Sequence, residues 1–170
     1  MSDLLARGRE LLAAQPYSRL FGLELEDLWP GKATLRVDLD GRHQKQYGLV
    51  HGGVICCAAE SVLHLAGFSV LGCETDLMEI KLDHLRPAVG DRLVAHAATV
   101  HVARHQAVCR CDVFVCNGRG EWLCATASGT IVMLPSPVWS RVGDGASADR
   151  LSPIDDPIAQ PAVPLPLQSV

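Results

Sequence analysis

Residues 52–71, Gly-Gly-Val-Ile-Cys-Cys-Ala-Ala-Glu-Ser-Val-Leu-His-Leu-Ala-Gly-Phe-Ser-Val-Leu, form a run of twenty with one acid and one histidine. A segment this long and this apolar has two outlets, a bilayer or the interior of a protein. Glu60 and His64 near its middle are costly in lipid, and the flanking sequence alternates like soluble sheet, so the run predicts a buried helix and no membrane span. A helix apolar on nearly every side must be covered on nearly every side. One curved sheet wrapped around it, with a second copy closing the remainder, meets that demand.

The flanks supply the sheet. Ser2 or Asp3 caps a first helix that carries Leu4, Leu5, Leu11 and Leu12 and is expected to end before Pro16. Gly22–Leu28 reads as a strand and Trp29-Pro30-Gly31 as a turn. In Lys32–Asp40, Ala33, Leu35, Val37 and Leu39 alternate with Thr34, Arg36, Asp38 and Asp40. A polar loop, Gly41–Val50, leads into the apolar helix. Beyond it, Arg86–Gly90, Arg104–Gln106 and Asn117–Gly120 punctuate four strands, Leu77–Leu85, Arg92–Ala103, Ala107–Cys116 and Trp122–Leu134. Strand-helix-strand units do not recur, so the class is α+β with an antiparallel sheet. Seven of the ten prolines fall in residues 135–170, which predicts a folded unit over 1–134 and an extended Pro-rich C-terminal tail over 135–170. With 15 Lys and Arg against 19 Asp and Glu, no basic excess exists to grip nucleic acid. Seven cysteines without a Cys-x-x-Cys pair, behind an N-terminus with no basic leader, fit reduced thiols in the cytoplasm.

The acid in the apolar run is the chemical signal. Helical spacing puts Gly53, Cys57, Glu60, His64 and Leu71 near one stripe, with Glu60 and His64 one turn apart. A carboxylate in apolar surroundings needs a partner, here His64 or a strand arginine, or it serves as a general base. His51-Gly52-Gly53 opens the same helix, where free N–H groups favour an anion or a developing oxyanion. Gly52 and Glu60 are separated by about 12 Å of helix axis, too far for one chain to bring both to one carbonyl. If both act, the sites are composite: Glu60 of one subunit and Gly52 of the other, in a two-fold homodimer. Cys57 reads as a small buried thiol, and His101, His105, Cys109 and Cys111 do not converge on a metal. Arg42, Arg86 and Arg104 are candidates for phosphate contacts.

These residues also carry a resemblance. Gly48-Leu49-Val50-His51-Gly52-Gly53-Val54-Ile55 with an acid nine positions after the histidine, Leu82-Asp83-His84-Leu85-Arg86-Pro87-Ala88-Val89-Gly90-Asp91, and Ala125–Thr130 resemble, in order, the hotdog-fold acyl-CoA thioesterases, in the branch of the phenylacetate-pathway and 4-hydroxybenzoyl-CoA enzymes. The resemblance spans about residues 15–134. It implies a long central helix wrapped by a curved five- to six-stranded antiparallel sheet, in homodimers that often pair into homotetramers. It implies hydrolysis of an acyl-CoA thioester without metal or organic cofactor. Glu60 takes the place of base or nucleophile, Gly52 that of the oxyanion donor, and His51 orients the loop. Gly53, Lys45, Gln46, His64, Thr75, Leu77, Arg86 and Arg104 fall where substrate or water is held. Two positions depart from the pattern: Lys45 stands where Asn or Gln is usual, flanked by Gln44 and Gln46, and Leu77 stands where Ser or Thr is usual, with Thr75 two residues earlier. The alternative function is a non-catalytic acyl-CoA-binding protein. A hydratase acting on enoyl-CoA is a weaker third, lacking its expected Asp/His pattern.

Overall fold

A computed structural model describes residues 2–72 and 74–134. The tail expected over 135–170 lies outside the described residues. Helix α1 (Ser2–Ala14) and a short α2 (Pro16–Phe21) precede β1 (Leu23–Trp29) and β2 (Lys32–Asp38). Two 3₁₀ turns, Gly41–His43 and Gln46–Gly48, lead into α3 (Gly52–Leu71), followed by β3 (Thr75–His84), β4 (Arg92–Val102), β5 (Gln106–Asn117) and β6 (Gly120–Met133). The expected order holds, with one addition. Pro16 does not merely end a helix; it opens α2 at its first position, where the missing N–H would be unpaired anyway. Gly22, at φ 63°, ends α2 in the left-handed region and donates back to Arg19.

The six strands form one antiparallel sheet in the order β1-β2-β4-β5-β6-β3, and α3 packs against all of them. The strand that follows α3 in sequence therefore lands on the far edge, beside β6. Alternation in β2 is as expected: Ala33, Leu35 and Val37 are buried against the helix. Alanines on the inner faces of β4, β5 and β6 (Ala95, Ala97, Ala107, Ala125, Ala127) keep the sheet surface low, so a thick apolar helix settles close to it. Cys124 is the extra residue where the β5–β6 register slips, and its thiol donates to the Val113 carbonyl.

Within α3 the sheet presses closest at Gly67, where an added Cβ would stand 2.7 Å from Ile131 Cβ. Ile131 is itself fully buried in β6 and has nowhere to retreat. Alanine's better helix propensity, worth about 1 kcal/mol, is outweighed by overpacking of about 1–3 kcal/mol that grows if the helix must lift. Gly67→Ala is expected to lower the urea midpoint without changing the m-value, and Gly67→Leu to prevent folding. A Gly67→Ala midpoint at or above wild type would show that the helix has slack here.

α3 is the one described helix long and apolar enough to cross a membrane, and most of it is buried in this core. One stripe stays uncovered within the chain. Gly53 and Glu60 are exposed, and Cys56, Ser61, His64 and Leu71 are half-buried.

Candidate active site

The start of α3 is held from several sides. His51 is the N-cap, and its Nδ1 accepts the Gly53 N–H at 3.0 Å. Its own N–H donates to the His43 carbonyl at 2.8 Å, and its carbonyl accepts the Val54 N–H at 3.0 Å. Of the first N–H groups, that of Gly52 is left without a protein acceptor among the described residues. An unpaired donor at the positive end of a twenty-residue helix is the arrangement that stabilises a developing oxyanion.

Gly52 lines a cavity of about 440 Å³ together with Lys45, Ile55, His84 and Arg86 among others. His84, at the end of β3, brings Nε2 to 3.3 Å from where a Cβ on residue 52 would stand, so glycine leaves the imidazole and the backbone in close company. Sequence reasoning quoted His84 only as part of a motif and gave it no role. Its placement depends on β3 crossing to the far edge of the sheet, which no local pattern announces.

Of the residues singled out from sequence, Gly52, Lys45 and Arg86 share this cavity, with His51 and Gly53 beside it. Gln46 is exposed in the next 3₁₀ turn and does not line it, so Lys45 holds the position six before His51. Arg42 is engaged by Asp40, whose carboxyl it holds down at about 2 by hydrogen bonding. Arg104 sits in the β4–β5 turn. In one chain that turn is near the opposite end of α3, where Val70 and Thr99 meet around Gly31.

Further along the open stripe the structure corrects two expectations. Glu60 is not buried within its own chain, because the stripe it occupies points away from the sheet, and it forms no salt bridge with described residues. His64 does not pair with Glu60 either. Its Nε2 donates to the Thr75 carbonyl at 2.8 Å and lies 3.0 Å from Thr75 Oγ1. A carbonyl only accepts, so the ring proton is assigned to Nε2, and Nδ1 keeps its lone pair. Leu77 turns its side chain onto Gly129 and the core, with no polar atom for water. Cys57 is buried, and desolvation first, then the charge of Glu60, pushes its thiol up to about 11, so it stays protonated at neutral pH and is no nucleophile.

Comparison with known proteins decides what this geometry belongs to. The thioesterase superfamily's sequence profile matches residues 47–121. The 1,4-dihydroxy-2-naphthoyl-CoA hydrolase of Escherichia coli is 30% identical over 105 residues, covering 61% of this chain and 74% of that protein. The chain belongs to the thioesterase superfamily. Its fold is the hotdog fold: a thioesterase family protein from Silicibacter pomeroyi superposes with a TM-score of 0.73 at 25% identity, covering 78% of this chain and 99% of that one. A point mutant of phenylacetic acid degradation protein PaaI from Thermus thermophilus gives a TM-score of 0.62 at 28% identity, over 71% and 100%. The thioesterase is thus a hydrolase of thioesters, and the helix start and the open stripe are its candidate machinery.

Proposed function

We propose that this thioesterase hydrolyses an acyl-CoA, with Glu60 as general base or nucleophile and the Gly52 N–H of the partner subunit as oxyanion donor. The observation that carries the reading is the unpaired Gly52 N–H, set in a cavity with Lys45 and Arg86 while the one acid of α3 stands exposed two turns away. The thioester carbonyl accepts from Gly52, whose donor and helix dipole take up the charge as water or Glu60 adds. The thiolate is a good leaving group and departs without strong acid help. Lys45 and Arg86 at the cavity favour the phosphates of CoA. His64, fixed by Thr75, offers Nδ1 on the stripe of Glu60 as an acceptor for the attacking water, where the familiar hydroxyl of β3 is replaced by Leu77.

The sheet's two edges support a homodimer. The β1 edge is covered: α1 packs on it, and Arg9 donates to the Leu25 carbonyl. The β3 edge runs ten residues with no described neighbour and exposes Met78 at its bulge. An open edge of this length favours pairing with a second copy. Such pairing would set one open helix stripe against the other, and a dimer of dimers extends the same logic. Residues 1–134 are taken as the unit that carries the activity, and six free thiols among the described cysteines fit a cytoplasmic setting.

Thiol release from a panel of aryl- and medium-chain acyl-CoAs tests the reading, and turnover on at least one class is expected. Tight calorimetric binding of an acyl-CoA with no thiol release across the panel would instead favour a non-catalytic binder.

A further inference from the structure

His43 is the largest buried polar side chain outside the proposed machinery, 1% exposed, and it precedes the stretch that the superfamily profile matches. All its polar atoms are engaged. Nε2 donates to the Phe21 carbonyl at 3.2 Å, at the end of α2. Since a carbonyl only accepts, the ring proton is assigned to Nε2, and Nδ1 accepts the Asp40 N–H at 3.0 Å. That bond is half of a capping box over the turn 41–43; the Asp40 side chain closes the other half. His43's own N–H donates to the Asp40 carbonyl, and its carbonyl receives the His51 N–H at 2.8 Å.

An apolar side chain of similar size would fill this volume beside Phe21. What the imidazole adds is a tie between α2 and the 40–43 turn, and the backbone carbonyl of His43 in that turn then holds the N-cap of α3 through the His51 N–H. The last tie matters most, because His51 is the residue from whose carbon the Gly52 N–H peptide departs. Its direction depends on the φ and ψ of His51, and His51 is steadied at its N–H by His43 and at Nδ1 by Gly53. We propose that His43 is a positioning residue for hydrolysis: through the capped 40–43 turn it fixes His51 and so aims the Gly52 N–H at the reacting carbonyl. The inference rests on the oxyanion role proposed for Gly52.

The two ring nitrogens can be separated by substitution. In His43→Asn the amide oxygen takes the place of Nδ1 and keeps the Asp40 cap while the link to Phe21 is lost. In His43→Gln the amide nitrogen takes the place of Nε2 and the cap is lost. Because a small misplacement of an oxyanion donor is expensive, kcat is expected to fall about tenfold or more in His43→Gln and His43→Ala, and no more than about threefold in His43→Asn. KM and calorimetric binding of free CoA, which has no thioester carbonyl, are expected to stay within about twofold of wild type in all three. A merely structural role predicts something else: kcat per folded subunit unchanged while melting temperature falls. Equal kcat in Asn and Gln variants, or losses that track melting temperature alone, would overturn the proposal. So would failure of both amide variants to fold, which would make His43 a residue of the fold only. Gly52→Pro, which deletes the donor itself, is the control. If that variant folds and keeps wild-type kcat, the oxyanion reading itself has failed; if it loses kcat while the His43 variants do not, only the role of His43 falls.

Discussion

Glu60→Gln is expected to lower kcat for thioester hydrolysis by about 10²–10⁴-fold, the range over which a positioned base or nucleophile acts. The substitution is nearly isosteric and changes only the group's ability to take a proton or form an anhydride. Glu60 is exposed on the open stripe and has no ion pair among the described residues. Nothing in the chain's own core depends on its charge, so subunit stability is expected to move by no more than about 0.5 kcal/mol. KM is expected to change little, since the CoA contacts are assigned to Lys45 and Arg86 at the start of the helix. Single turnover in ¹⁸O-water gives a positive signature of the nucleophile. Attack by the carboxylate forms an acyl-anhydride, and water adding to it at the Glu60 carbon leaves label in the side chain, whereas direct attack by water, or hydrolysis of the anhydride at the acyl carbon, labels the acid product alone. Wild-type kcat in Glu60→Gln would remove Glu60 from the mechanism altogether.

What could be read from residue order and what could not separate along physical lines. The apolar run 52–71 announced the central helix because a segment of that composition has few other stable environments, and α3 occupies those residues. The alternation in 32–38 announced β2 and its buried face, because period two is a local property of a strand. The buried placement inferred for Glu60 was wrong within the chain. It treated the run as apolar all round, whereas Gly53 and Glu60 lie on a narrow stripe that the sheet leaves open, with His64 tied to the start of β3 at its margin. Pro16 reads in sequence as a stop, because a proline ends one helix as well as it begins the next. The companionship of His84 with Gly52, and the tie from His43 to Phe21 and His51, went unseen for a different reason. Each joins residues far apart in sequence, and its existence depends on β3 pairing with β6 or α2 folding back over the loop. Periodicity carries no such information.

Those same distances make the strongest test of a shared site. Gly52→Pro deletes one N–H and little else. Residue 52 is the first of the helix, where proline's ring fits and its missing donor costs no intrahelical bond. His51 already has φ −67° and ψ 134°, the extended region that a residue before proline prefers. The ring does crowd His84, which is exposed and free to swing outward. A folded Gly52→Pro protein is therefore expected, with kcat down by about 10²–10³-fold, the cost of one lost oxyanion donor. Mixed with Glu60→Gln, it separates the two geometries. If each site takes Glu60 from one subunit and Gly52 from the other, a heterodimer contains one site with both groups intact and one with neither. Each heterodimer then has about half the activity of a wild-type dimer, and a freely exchanged equal mixture recovers about a quarter, from two parents that are each nearly inactive. If one chain supplied both groups, every subunit in the mixture would still lack one of them, and no mixing ratio would restore activity. Verified heterodimers that stay at parental rates would thus refute the composite site, while leaving the thioesterase fold and the Glu60 result untouched.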